Sequence, residues 1–391
     1  MRTLISGAEV VLPDRVAAGR AVAIENGRIA QVAPEGELRP GPGDHLVSAA
    51  GQYLAPGFID LHIHGAGRWL ADDGPEALAG LLALLPRYGV TGALPAVTPR
   101  GEREDAARVA ALAAARAPGA ALLGFLFEGP FLALGGALGA GSLARPEPRR
   151  VEALIAAARP HRAVFAVSPE VQDVLEVIPL MGREGAPVFI SHTRADVRQT
   201  QAAIEAGARH ATHFYDVFPS PAETEPGVRP CGAVEAILAD PRVSVDFILD
   251  GEHVDPVAVK LALACKRPDR VCLATDANVG AGLGASRYRF AGQEIVISRP
   301  GAAARLGERS HAPGALAGSG LTMDRAVRNA VELLGLDLPQ AVRMASANPA
   351  AVLGLAGRKG RVQPGFDADL VLLDAALRVT RTWIGGEEWK G

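Results

Sequence analysis

The chain has 391 residues, enough for two or three domains of ordinary size or for one large barrel with an attachment. Hydrophobic residues make up 49% and charged residues 21%, a globular balance that excludes a disordered chain. The net charge of −3 provides no basic field for nucleic acid or for an anionic membrane.

The first fifty residues read as short strands. Thr3–Leu12, Ala21–Ala33 and His45–Tyr53 are rich in Val, Ile and Ala and are separated by turn residues such as Glu25-Asn26-Gly27. The middle of the chain alternates. Apolar runs at Gly57–His64, Gly89–Val97, Ala121–Phe127, Ala163–Val167, Pro187–His192, His210–Asp216, Arg242–Leu249 and Val271–Thr275 predict strands. Between most of them lie segments of helical period: Pro75–Tyr88, Arg103–Ala117, Arg149–Ala158 and Thr193–Ala206. Eight strands each followed by a helix predict a closed (β/α)8 barrel of the TIM type. A doubly wound open sheet is the alternative, but no GxGxxG follows the first strand to support a dinucleotide site. Gly365–Asp374 and Leu377–Ile384 predict a hairpin ending at Gly385-Gly386. Strand-rich ends around a different middle predict a small composite β-sandwich domain, residues 1–52 with 355–391, attached to a barrel of residues 53–354.

A parallel barrel carries its chemistry at the C-terminal ends of its strands. The first strand ends Asp60-Leu61-His62-Ile63-His64, and residues two apart on a strand face the same way, so both imidazoles can aim at one point. The third ends at Glu128, the fifth at His192, the sixth at His213 and the eighth at Asp276, while the seventh runs into Asp250-Gly251-Glu252-His253. One strand-end histidine is ordinarily a satisfied core residue. Seven ligand or base types at the same end of six strands form a pattern. His45, His161, His210 and His311 read as structural or solvated.

Imidazoles and carboxylates without thiolates suit Zn²⁺, with Fe, Mn or Co as alternatives, one or two ions in number. Cys231, Cys265 and Cys272 show no CxxC spacing, which argues against a cysteine zinc site and a disulfide framework. An open-sited divalent ion activates water near neutral pH, and a neighbouring carboxylate such as Asp276 can take its proton. The reaction class expected is metal-assisted hydrolysis. Only four of the 40 basic residues are lysines (Lys260, Lys266, Lys359, Lys390), and none falls on a predicted strand end. That disfavours cyclic-amide hydrolases that bridge two metals with a carboxylated lysine. The N-terminus lacks a signal-peptide pattern and no long apolar run occurs, so a cytoplasmic protein is expected.

Pro56-Gly57-Phe58-Ile59-Asp60-Leu61-His62-Ile63-His64-Gly65 resembles the opening metal motif of the amidohydrolase superfamily. Glu128-Gly129-Pro130-Phe131, Ala211-Thr212-His213, Asp250-Gly251-Glu252-His253-Val254 and Ala274-Thr275-Asp276-Ala277 resemble the N-acetylglucosamine-6-phosphate deacetylase branch. So do Leu316-Ala317-Gly318-Ser319, Ala347-Asn348-Pro349-Ala350 and Gly365-Phe366-Asp367-Ala368-Asp369-Leu370.

The resemblance implies a homodimer acting on a small N-acyl amine or amino sugar. It assigns Glu128, His192 and His213 to one metal and His62 and His64 to a second. It implies that water activated on the metal attacks an acetamide carbonyl, with Asp276 as general base and then acid and His253 touching the substrate. Three positions depart from the branch. Where it has His-Leu-Phe/Tyr-Asn-Ala-Met, this chain has His213-Phe214-Tyr215-Asp216-Val217-Phe218. Its Arg-Glu-Pro-Gly, whose Arg reaches a phosphate held by the partner subunit, is here Thr224-Glu225-Pro226-Gly227, with Arg229 as the candidate replacement. Its Lys-Gly-Ala-His is here Leu138-Gly139-Ala140-Gly141. Asp216 and Thr224 therefore predict that amide hydrolysis is kept while 6-phosphate specificity is weakened, leaving an unphosphorylated amino sugar or another N-acyl amine. The alternative of another class is an inactive barrel kept as a binding protein.

Overall fold

A computed structural model describes residues 2–138 and 140–391, so Gly139 of the Leu138–Gly141 departure lies outside the described residues. Eight parallel strands form the centre: β1 (Phe58–Ile63), β2 (Val90–Val97), β3 (Gly124–Glu128), β4 (Arg162–Val167), β5 (Val188–Ile190), β6 (Ala208–Ala211), β7 (Ser244–Ile248) and β8 (Val271–Ala274). Each pairs with its sequence neighbour. The first and last strands meet through an Ile63–Ala277 bridge and the bonds Asp276 N–H to His62 O (2.9 Å) and His64 N–H to Ala277 O (2.9 Å). The seam of the barrel therefore runs through residues expected to do chemistry.

Helices α1 (Pro75–Leu84), α2 (Glu102–Ala113), α3 (Pro148–Ala158), α4 (Val174–Met181), α5 (Val197–Ala206), α6 (Ala233–Ala239), α7 (Pro256–Cys265) and α8 (Met323–Leu334) follow the strands in turn. Local signals set their starts. Asp196 and Gln199 close a capping box on α5, with reciprocal bonds of 2.7 and 3.0 Å. Asp255 caps α7 through Val257 N–H at 2.8 Å, with Pro256 in its first turn. Apolar strand residues such as Phe58, Phe125 and Phe165 cluster with Leu81, Leu112 and Leu154 of the helices. Ile59, Leu61, Leu94, Leu126, Val164 and Phe189 fill the barrel itself, together with Ala350 and Leu353 of the C-terminal helical segment.

Two further sheets join the chain's ends. A four-stranded sheet has the order 28–34, 20–25, 3–6, 45–48. A six-stranded sheet mixes both termini: Tyr53–Pro56 pairs in parallel with Glu9–Val11 and antiparallel with Leu370–Leu373. Ile5, Val10, Leu54, Leu370, Leu372 and Trp383 make its core. The composite β domain is thus built as the strand-rich termini predict.

The structure also holds a sheet that the sequence reading does not predict. Ser286–Phe290, Gln293–Ile297, Ala303–Leu306 and Leu316–Ser319 form an antiparallel meander between β8 and α8. It is stitched to the end of β8: Ser319 N–H bonds Asp276 O at 2.8 Å and Ser319 Oγ–H bonds Thr275 O at 2.6 Å. Gly318 permits this approach, since its φ is +69° and a Cβ there would lie 2.7 Å from Asp276 O.

The sixth strand is shorter than expected. It ends at Ala211, and the chain then enters left-handed conformations at His213 (φ 35°), Tyr215 (77°) and Val217 (55°). His210 is a fully buried strand residue held by Ser244 and Asp246, so of its two expected readings the structural one applies. No helix among the described residues is long and apolar enough to cross a membrane.

Candidate metal centre

The strand ends converge on Glu128. One of its oxygens, Oε1, lies 3.1 Å from His192 Nε2 and 3.2 Å from His213 Nε2. The other, Oε2, lies 3.2 Å from His64 Nε2 and 3.7 Å from His62 Nε2. Asp276 Oδ1 closes the second group, at 3.2 Å from His64 Nε2 and 3.4 Å from His62 Nε2. All six side chains are buried. Two sets have ligand atoms within metal-binding distance of one another: His62, His64 and Asp276, and His62, Glu128 and His213.

Backbone geometry aims these groups. His192 (φ 49°), His213 (φ 35°) and Asp276 (φ 42°) all take left-handed conformations just past their strands. Side-chain residues adopt that region at a cost, and it concentrates at functional sites.

Supporting residues fix the rings. His192 Nδ1 faces Leu134 O at 3.0 Å, a carbonyl that can only accept, so Nδ1 carries the proton and Nε2 is a free lone pair. His62 Nδ1 faces Thr212 Oγ1 at 3.0 Å, and that hydroxyl donates to Asp246 Oδ1 at 3.3 Å. The relay sets the same tautomer on His62. Asp246 Oδ1 also accepts His213 N–H at 2.6 Å. Asp60 accepts from Thr275 Oγ1 at 2.6 Å, Thr275 N–H at 3.2 Å and His62 N–H at 3.3 Å, tying β8 to β1.

Electrostatics show what the cluster lacks. Neutral Nε2 lone pairs point at carboxylate oxygens, an arrangement stable only with positive charge between them. His62 Nε2, Glu128 Oε2 and Asp276 Oδ1 are buried with no hydrogen-bond partner. In the bare site, protons supply the charge. Burial opposes protonation of His64, but Asp276 and Glu128 outweigh it and push its pKa up to about 10. Burial likewise opposes His213, yet Glu128 lifts it to about 10. Glu128 and Asp276 fall below the carboxylate range despite burial, held down above all by His62. A divalent cation satisfies the same demand, and the donor set of imidazoles and carboxylates with no thiol suits one.

His253 feels the charges of Asp216 and Asp276 but is not among the residues that line the mouth. Its ring is fully enclosed, Nδ1 bonds Asp250 Oδ2 at 2.7 Å, and Nε2 has no partner. Asp250 raises its pKa against burial, with Asp216 and Asp276 adding to the effect. Asp216 lines a cavity of about 340 Å3 whose floor includes His64, Glu128, His192, His213 and Asp276. Thr224 and Arg229 are not brought there. Thr224 is exposed. Arg229 is 80% exposed, pairs with Glu235 at 2.8 Å, and borders a separate cleft beside Tyr215 and Phe218. A cavity of about 620 Å3, the more spacious of the two, lies by Arg209, Arg242 and Arg270, away from every strand-end residue.

Sequence reasoning misses the supporting groups Asp60, Ser191, Thr212, Asp246 and Thr275, and the roof residue Phe290, whose ring centre is 5.0 Å from that of His64. A polar residue one or two places before His62, His192, His213 and Asp276 is the signal that finds most of them.

A closed parallel barrel with histidines and carboxylates gathered at one mouth defines a hydrolase of the metal-dependent barrel class. Residues 53–388 match the amidohydrolase family, and the chain belongs to that family. It is 36% identical over 342 residues to N-acetylgalactosamine-6-phosphate deacetylase of Escherichia coli O157:H7, covering 86% of this chain and 87% of that one. It is 31% identical over 392 residues to N-acetylglucosamine-6-phosphate deacetylase of Bacillus subtilis, covering 97% and 95%. The crystal structure of N-acetyl-D-glucosamine-6-phosphate deacetylase from Mycobacterium smegmatis superposes with a TM-score of 0.86 at 28% identity, covering 99% of both chains.

Proposed function

We propose that the chain is a metal-dependent deacetylase of N-acetyl amino sugars. The observation that carries this is the gathering of buried imidazoles and carboxylates from five strands around Glu128, with His62 Nε2, Glu128 Oε2 and Asp276 Oδ1 left without hydrogen-bond partners. In this reading Glu128, His192 and His213 hold one divalent ion, and His62 and His64, with Asp276 beside them, offer a place for a second. Zinc is the proposed element, with iron, manganese and cobalt as alternatives. Bound there, the ion supplies activated water and an electrophile for the acetamide carbonyl.

Asp276 is the general base. Its carboxylate is held ionised by His62 and His64, so it can accept the proton of the attacking water. The proton then passes from Asp276 to the leaving nitrogen, freeing acetate and the amine. We assign a substrate contact to His253, whose Nδ1 is held by Asp250. Asp60 and Thr275 keep Asp276 in register across the seam. The protein works as a cytoplasmic homodimer, with residues 1–52 and 355–391 as one domain and 53–354 as the other. The inactive-barrel reading has no observation in its favour, since every ligand and base type is present. A carboxylated-lysine centre has none either: the lining of the mouth contains no lysine among the described residues.

The test is to quantify metal in the purified protein, strip it with a chelator, and follow acetate release from N-acetyl amino sugars before and after metal return. Loss on stripping and recovery on return are expected. Full activity without metal overturns the proposal.

A further inference from the structure

The cavity above the metal cluster has walls of one chemical character. Ala137, Leu138, Val217, Phe290 and Leu316 line it with apolar surface, and Asp216 is the charged side chain that stands apart from the cluster. Among the described residues lining it there is no lysine and no arginine. Among the described residues Asp216 has no salt-bridge partner, and it lies half-buried.

The cations around the mouth are turned elsewhere. Arg299 pairs with Glu252 at 2.6 Å, Arg305 lies 3.7 Å from the same carboxylate, and Arg229 pairs with Glu235 over the separate cleft. Arg194, two residues past His192, is exposed and outside the lining. His311 sits at the rim with Nδ1 on Gln293 Oε1 at 2.9 Å. A phosphate group carries between one and two negative charges and is bound by arginine, lysine or clustered N–H donors. Here it would meet an unpaired carboxylate in a partly desolvated, apolar enclosure, where like charges repel far more than in water. A sugar hydroxyl meets the same carboxylate as a hydrogen-bond donor meets an acceptor.

We infer that the substrate is an uncharged N-acyl amino sugar, with a free hydroxyl toward the Asp216 end of the cavity in place of the phosphate in the relatives' names. This rests on the deacetylase reading and narrows it. The volume of about 340 Å3 falls at the small end of ligand pockets, in keeping with one unextended sugar.

The experiment compares kcat/KM of the metal-loaded enzyme for N-acetylglucosamine and N-acetylgalactosamine with that for their 6-phosphates. At least a tenfold preference for an uncharged sugar is expected, expressed mainly in KM. Asp216→Asn should narrow that ratio at least tenfold, by weakening the uncharged sugar and admitting the phosphate. Equal turnover, or preference for the phosphorylated form, overturns the inference. If Arg229→Ala or Arg194→Ala then abolishes a phosphate preference, the anion subsite belongs to those loops. Where neither form of any N-acetyl sugar is hydrolysed, the deacetylase reading itself falls. Calorimetric binding of glucosamine and glucosamine 6-phosphate then decides the charge preference without turnover: tighter binding of the uncharged amine supports it, and tighter binding of the phosphate overturns it.

Discussion

Two groups of buried charge occupy this molecule, and they are finished to different degrees. At the junction of the composite β domain with the barrel, Asp367 bonds Arg358 at 2.8 and 3.0 Å and lies 3.1 Å from Lys359. Asp369 bonds Lys359 and accepts Gly385 N–H at 2.8 Å, while its carbonyl takes Gly57 N–H at the entrance to β1. Every carboxylate there has a cation. At the mouth, Glu128, Asp276 and four imidazoles crowd together with bare atoms between them. The junction is complete as folded protein, whereas the mouth is complete only with something added. Buried charge near a fold's centre is thus not one kind of feature: its unmatched atoms separate scaffold from site.

Breaking the mouth should have the largest effect. Glu128→Ala removes the oxygens that both histidine pairs share, and activity should fall to background with metal content falling alongside it. Retained metal in that variant would show that Glu128 does not anchor the centre. Asp276→Asn should keep metal and lose about 10² to 10⁴ in kcat, as expected of a lost acid–base group. Near-normal turnover would remove Asp276 from that role.

Breaking the junction should change stability and leave chemistry alone. Lys359→Met leaves the buried Asp369 without its cation, while Asp367 keeps Arg358, at a cost of up to about 3 kcal/mol. A lower melting temperature with unchanged kcat per folded molecule is expected, and a lowered kcat would erase the contrast.

Asp60 sharpens the comparison by pH. Burial pushes its carboxyl up to about 7 from the ordinary 3.8, against the bonds from Thr275 and His62. The folded metal-free protein therefore keeps a proton that the unfolded chain has released. This stabilisation is full below about pH 4 and is lost as pH rises through about 7. Denaturant titrations across that range should show the decline in the metal-free protein, and Asp60→Asn should flatten it. The smallest effect belongs to Arg229→Ala, an exposed pair, where melting temperature and turnover of uncharged sugars should both stay within error.

Much of the mouth is legible in one dimension because strand ends are short and their polar residues interrupt apolar runs. His62, His64, Glu128, His192, His213 and Asp276 stand out that way. Asp246 does not, since a polar residue on a buried strand looks like noise until its partners are placed. The eight strands are legible from apolar runs, but the end of β6 is not. The turn at His213 is a backbone conformation, and Phe214-Tyr215-Asp216-Val217 has strand-like composition. The meander at 286–319 escapes for the opposite reason: Ser286-Arg287-Tyr288-Arg289 and Gln293-Glu294 carry polar and charged side chains, and only one face is apolar. Thr224 and Arg229 show a different limit. A residue's place in a motif says nothing of where an exposed loop carries it.

The hydrogen bonds that close the barrel have a consequence for how it assembles. Asp60 and Thr275 are 215 residues apart in sequence, and joining them closes a long loop at an entropic cost. His62 and His64 stand on one side of that join and Asp276 on the other. An ion held among them acts as a clasp on the loop that closes the barrel. Its loss should unfasten the first strand from the last before the rest loosens, seen as early hydrogen exchange at the His64, Gly65 and Asp276 amides.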